Sequence, residues 1–154
     1  MKISSKDIIF VLLQIVLFIA FTFEIKAIKI FFPSIIFWFG VVIFVFGALI
    51  TVVAVLQLNV HLSPFPSPLP GAKLIENGVY GFVRHPIYTG IILAFFGYAL
   101  ICDSGYRLLI SAALFVLFYY KSVYEENRLI DVFPKYSEYK TRTGRFFPKI
   151  FSID

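Results

Sequence analysis

The chain reads as an all-α, polytopic membrane protein with about four membrane-crossing helices. Three observations lead there: composition, the spacing of apolar stretches, and the placement of basic residues. Of 154 residues, 60% are hydrophobic and only 15% charged, and mean hydropathy is +0.89. A soluble domain is nearer half apolar and a quarter charged. A chain of this size leaves much of its surface in contact with solvent, so lipid is the simplest solvent for that surface. The length allows one domain, residues 1–154. The single cysteine, Cys102, excludes an internal disulfide. A net charge of +5 in so apolar a chain points to anionic lipid headgroups as contacts, not to nucleic acid.

Four apolar stretches are expected to be helices: residues 8–23, 35–58, 86–102, and one from 108 that stays apolar to Tyr120. A bilayer core takes about 20 apolar residues per helix, which the second stretch meets comfortably. Residues 121–130 contain no Gly or Pro, so the fourth helix is expected to continue through them. That helix should leave the membrane and carry charges at an exposed end. Lys2 and Lys6 precede the first stretch as in a signal peptide. Only the weak pair Ala20 and Thr22 offers a cleavage site, so a retained helix is the expectation.

If all four stretches span, the N-terminus, the 59–85 loop and the C-terminal tail share one side. That side carries Lys2, Lys6, Lys73, Arg84, Lys121, Arg128, Lys135, Lys140, Arg142, Arg145 and Lys149. The other carries only Lys26, Lys29 and Arg107. The positive-inside rule then predicts cytoplasmic termini, and the inner (cytoplasmic) membrane is the expected location. The link at residues 103–106 is short enough to force a helix hairpin between the third and fourth stretches. Gly90, Ala94 and Gly97 lie on one face of the third, where small residues allow close helix approach. Gly40 and Gly47 in the second stretch are a weaker signal. Pro64, Pro66, Pro68 and Pro70 predict an extended loop at the interface or over a cavity.

Two constellations carry chemistry. In the first, Pro86 suits a helix start, which puts His85, Tyr88 and Thr89 one turn apart on one face. The helix N-terminus attracts an anion, and Arg84 adds a fork for carboxylate or phosphate. In the second, Lys121 and Glu125 share a helix face, with Glu126 beside them and Arg128 beyond. Each set alone can be an ordinary membrane-boundary feature. They fall, however, on one predicted side at the two ends of one hairpin and can converge. A cationic end facing carboxylates, with tyrosines between, suits a zwitterionic ligand with an aromatic ring. No metal-ligand cluster, nucleophile elbow or phosphate-binding glycine loop is present in the sequence.

The ordered set Gly78-Val79-Tyr80, Arg84-His85-Pro86-Ile87-Tyr88-Thr89-Gly90, Glu125-Glu126 and a tail with Phe133, Tyr136, Tyr139 and Pro148 resembles one family over residues 56–150. It is similar to the isoprenylcysteine carboxyl methyltransferases and related phospholipid methyltransferases, the shorter bacterial members above all. The resemblance implies S-adenosylmethionine as cofactor, held between the helix hairpin and the tail. It implies cofactor contacts at Ala72, Lys73, Leu74 and Ile75, and at Tyr80, His85, Pro86, Ile87 and Tyr88. Glu125 or Glu126 matches the functional glutamate. Lys121 stands where eukaryotic members have a substrate-side arginine, and a lysine is a point charge without the fork. Val79 replaces a common proline, and Thr143-Gly144-Arg145-Phe146-Phe147-Pro148 departs from the usual Arg-Val-Pro ending. The implied activity is methyl transfer to a prenyl, acyl or phospholipid-like acceptor, with membrane lipid and a lipophilic substrate as partners. A non-catalytic four-helix protein for lipid binding or assembly is the alternative.

Overall fold

The computed structural model describes residues 4–25, 28–58, 63–67, 71 and 73–149. Lys26, Pro68, Pro70, Ala72 and Ile150 lie outside the described residues. Among those described are five α-helices and one 3₁₀ turn: α1 (Ser5–Thr22), α2 (Ser34–Leu58), the turn Gly78–Gly81, α3 (Pro86–Ile101), α4 (Gly105–Val132) and α5 (Tyr136–Arg142). α1, α2 and α4 are each long and apolar enough to cross a membrane; α3 is shorter. The chain is thus an all-helical polytopic membrane protein. At 1.5 Å per residue, the 16 residues of α3 span about 24 Å, and the 28 of α4 about 42 Å. α4 therefore outruns its neighbours at one end.

Local chemistry sets the helix ends. Ser4 caps α1, its hydroxyl accepting from Asp7 N while the Asp7 carboxylate accepts from Ser4 N at 2.7 Å. Pro86 opens α3 at a position where a missing N–H costs nothing. Ser104 caps α4 through Arg107 N at 3.1 Å. Only residues 102–104 separate α3 from α4, with Asp103 at φ 51° turning the corner.

The tightest packing is between α2 and α3, running antiparallel. A Cβ on Gly47 would lie 2.6 Å from the Gly90 carbonyl oxygen, and one on Gly97 would lie 2.7 Å from that of Gly40. Backbone thus meets backbone at two points along the seam. The small-residue face of α3 finds its partner in the two α2 glycines that carried the weaker sequence signal. Periodicity marks a face; it does not say which helix will meet it. The outward faces of α1 and α2, such as Val16, Trp38, Val42 and Leu56, are exposed and apolar, as a lipid-facing surface must be.

The bundle has two distinct ends. At one, Ser4 Oγ meets Tyr124 Oη at 2.9 Å, and Ser67 donates to Asp7 Oδ2 at 2.8 Å. That gathers the start of α1, the proline-rich segment and the end of α4. At the other end Ser104 donates to Glu24 at 2.9 Å, Arg107 pairs with Glu24, and Ile30 N bonds Asp103 O at 2.9 Å. The expectation of an exposed, charged end to α4 holds for Asp131, which is exposed, but not for Lys121 and Glu126, each 1% accessible. Gln14 and the proline-rich segment cover Lys121, and the tail folds back over Glu126.

Candidate functional site

The tail is strapped to the start of α3 by backbone. Arg84 N donates to Gly144 O at 2.8 Å and His85 N to Arg145 O at 3.2 Å, while Thr89 Oγ1 donates to Phe146 O at 3.0 Å. Gly144 permits this turn, because a Cβ there would overlap the Phe147 carbonyl oxygen at 1.6 Å. Glycine at position 144 is thus a steric requirement of this strap. Tyr139 Oη reaches the carbonyl of Tyr80 at 2.6 Å, and Tyr80 Oη reaches that of Ala54 at 3.4 Å. α5, the 3₁₀ turn and α2 are linked in series. Burial, the largest cause in each case, raises the phenols of Tyr80 and Tyr136 and pushes that of Tyr139 up to about 12. All three stay protonated, and therefore able to donate, near neutral pH.

Adjacent glutamates have opposite environments. Glu126 is enclosed by three cations, Arg84 Nε at 3.0 Å, Lys140 Nζ at 3.1 Å and Arg145 Nη2 at 3.1 Å, with the ring nitrogen His85 Nε2 at 3.3 Å. Both its oxygens are engaged. Arg84 also donates through Nη1 to the carbonyls of Lys140 and Thr143. The Arg84 fork is therefore turned to Glu126 and the tail, although the residue also lines the cavity. Glu125 faces that cavity, accepts from Tyr88 Oη at 2.9 Å and stands 3.8 Å from His85 Nδ1. His85, Tyr88 and Phe118 form one stack, with interplanar angles of 2° and 7° and centroids 5.4 and 4.6 Å apart.

The cavity has a volume of about 330 Å³. Its wall includes Lys73, Leu74, Ile75, Tyr80, Arg84, His85, Pro86, Ile87, Tyr88, Lys121 and Glu125. Ala72 lies outside the described residues, and Glu126 stands behind the wall. The roof is Ser63–Ser67, so the described part of the proline-rich loop covers a cavity. Lys121 Nζ donates to Gln14 Oε1 at 2.7 Å and to Pro64 O at 2.9 Å, and lies 5.3 Å from the centre of the Tyr88 ring. Among the described residues no carboxylate pairs with it.

Sequence reasoning did not single out Gln14, Phe133, Leu129 or Tyr136 as wall residues. Gln14 had a signal: it is a lone amide in the apolar run 8–23, and a polar side chain at membrane depth is costly unless it is used. Among the described residues, no group of three or more His, Cys, Asp or Glu side chains is arranged to hold a metal ion.

A polytopic helical membrane protein with a polar-ended cavity under one end of its bundle is the class that fold and site define. The particular family follows from comparison. The model of the phospholipid methyltransferase family matches residues 35–136, more than half of the chain, and the chain belongs to that family. Methanethiol S-methyltransferase 1 of Bradyrhizobium diazoefficiens is 39% identical over 71 residues, which is 46% of this chain and 24% of that protein. The cobalt-zinc-cadmium resistance protein CzcN of Cupriavidus metallidurans is 33% identical over 78 residues, 50% of this chain and 36% of that one. The nickel-cobalt-cadmium resistance protein NccN of Alcaligenes xylosoxydans is 30% identical over 79 residues, 51% and 37%. The matches thus span little more than a third of these relatives at most. α1, which supplies Gln14, lies before the family match.

Proposed function

We propose that this protein is an S-adenosylmethionine-dependent methyltransferase acting at the membrane on a lipophilic acceptor. The observation that carries the reading is the split between the glutamates. Glu126 is neutralised by the tail, while Glu125 keeps carboxylate capacity on a cavity wall shared with stacked aromatic rings. The wall suits the cofactor by chemistry and size. Pockets for ligands of this class start near roughly 300 Å³, and the residues offer a carboxylate, aromatic faces and phenolic donors. Lys73, Leu74, Ile75, Tyr80, Pro86, Ile87, Tyr88 and Glu125 would hold the cofactor, with His85 packed behind Tyr88.

When bound, S-adenosylmethionine supplies an electrophilic methyl group on a positively charged sulfur. The protein's part is placement and field. Tyr88 fixes Glu125 by hydrogen bond, and the stack on Phe118 fixes Tyr88. A negative carboxylate and π faces then favour a cation in the cavity. Lys121 uses two of its three N–H donors on Gln14 and Pro64 O, which leaves one for a negative group on the acceptor. A carboxylate or thiolate acceptor needs no base. Of the pair, Glu125 is the functional glutamate in this reading; Glu126 holds the tail.

Basic residues crowd the cavity end, which supports a cytoplasmic side for that end and for both termini. The acceptor would enter sideways from lipid past Tyr88 and Ile91, with an acyl or prenyl chain and a small polar end. The name of one relative supports methyl transfer to sulfur as a further acceptor chemistry. The names of the other two refer to metal resistance, a reading for which the described residues supply no ligand cluster.

The test is methyl transfer from labelled cofactor in detergent to two matched thiol or carboxylate acceptors, one long-chained and one truncated. Each buried methylene contributes roughly 0.8 kcal/mol, so the long-chain acceptor should reach half-maximal rate at far lower concentration. Equal turnover of both, or turnover of a small soluble thiol alone, would overturn the acceptor class and leave the cofactor assignment standing.

A further inference from the structure

Gln14 and Lys121 meet inside the bundle on helices far apart in the chain. Asp7 and Phe21, both buried, lie about two turns to either side of Gln14, so Gln14 is on the inner face of α1. It stands about 14 Å along a helix about 27 Å long, well inside the apolar layer. A polar side chain at that depth is costly unless it is used. Gln14 Oε1 accepts from Lys121 Nζ at 2.7 Å. An ammonium only donates, so the amide oxygen must face it and the amide nitrogen is turned away. Among the described residues Gln14 Nε2 makes no hydrogen bond. The side-chain atoms buried there without a partner are Asp7 Oδ1 and Tyr136 Oη. Gln14 Nε2 is not one of them and so keeps accessible surface. The residue is half-buried and belongs to the cavity wall.

Bracing Lys121 explains the oxygen of this side chain and leaves the nitrogen unexplained. A glutamate would meet the ammonium better and cancel its charge. A glutamine leaves that charge in place and adds N–H donors beside it. This part of the wall therefore offers protons and fits a head group that carries lone pairs, such as a thiolate or a carboxylate. We infer that the Gln14 amide donates a hydrogen bond to the polar head of the methyl acceptor, which makes it a specificity residue supplied by α1. The family match starts at residue 35, so α1 adds this contact to a site whose Lys121 and Glu125 lie within the match. This rests on the acceptor reading given above. It concerns binding alone and involves no bond made or broken.

Steady-state methyl transfer from labelled S-adenosylmethionine tests it, on the purified full chain in detergent with dodecanethiol and with dodecanoate as acceptors. Gln14→Met keeps the length of the side chain and removes its donors. It should raise the acceptor KM roughly three- to ten-fold, the worth of one neutral hydrogen bond, and leave the KM for S-adenosylmethionine unchanged. The second arm compares Lys121→Met with the double variant that adds Gln14→Met. Neither has an ammonium to brace, and the double variant replaces a polar pair with an apolar one, a change that folded proteins tolerate. The acceptor KM should rise again by a similar factor in the double variant. No rise on that step would overturn the inference, since Gln14 would then act through Lys121 alone. An equal rise in the KM for S-adenosylmethionine would also overturn it, because the amide would then serve the donor. If wild-type protein binds S-adenosylmethionine in calorimetry but methylates neither acceptor, the acceptor reading falls and takes this inference with it, while the donor reading stands. Absence of binding by the wild type would remove both.

Discussion

At the far end of the bundle Glu24 meets Arg107 and Ser104, and a three-residue link turns α3 into α4. Arg107 also lies over the rings of Phe21 and Tyr98. At the near end Glu126 meets three cations and the His85 ring under a folded-back tail, and beside it Glu125 and Lys121 line a cavity. Both ends use carboxylates, arginines and tyrosines. The far end matches one anion to one cation and closes the packing with short connections. The near end uses long connections, overfills one carboxylate with cations, and leaves another carboxylate and a buried ammonium without each other. A surplus that the fold does not consume is what a ligand can use, and among the described residues the one that lines a cavity stands at the near end.

That contrast can be broken by substitution. Glu126→Ala should have the largest effect. It leaves the buried Arg84 guanidinium without its carboxylate, and breaking a buried pair of this kind costs about 3–5 kcal/mol. The expected result is a large drop in melting temperature in detergent and a tail open to protease. Lys121→Met should act on function instead. The lost bonds to Gln14 and Pro64 O are offset by relief of the ammonium's desolvation, so melting should move little. Turnover should fall by roughly ten- to hundred-fold, the worth of one charged hydrogen bond; full turnover would show that the ammonium serves only to hold the roof. Glu24→Ala should have the smallest effect. Its carboxylate is about a third exposed, and such a pair contributes about 1 kcal/mol or less. A melting shift equal to that of Glu126→Ala would erase the difference between the ends.

Much of the near end was legible in the sequence because its chemistry is local. Pro86 announces a helix start, and His85, Tyr88 and Thr89 follow at one-turn spacing. Lys121 and Glu125 share a face by periodicity alone. Other features depend on contacts distant in the chain, which no spacing encodes. Glu125 and Glu126 are indistinguishable as neighbours on a helix until Arg145 and Lys140, from the tail, close on one of them. Gly40 and Gly47 look like ordinary membrane-helix glycines until Gly97 and Gly90 arrive opposite. α5 is short and polar, and its two buried tyrosines show their role only once they are seen against Tyr80 and the cavity.

In the proposed reading Glu125, and not Glu126, is the glutamate that meets a sulfonium-type methyl donor in this cavity. Isothermal titration of S-adenosylmethionine into purified protein, wild type against Glu125→Ala, tests it most directly. The wild type should bind at one site per chain. In the variant affinity should weaken by about 1.5–3 kcal/mol, with the melting temperature of the ligand-free protein nearly unchanged. Wild-type affinity in folded Glu125→Ala, or no binding by folded wild-type protein, would contradict it.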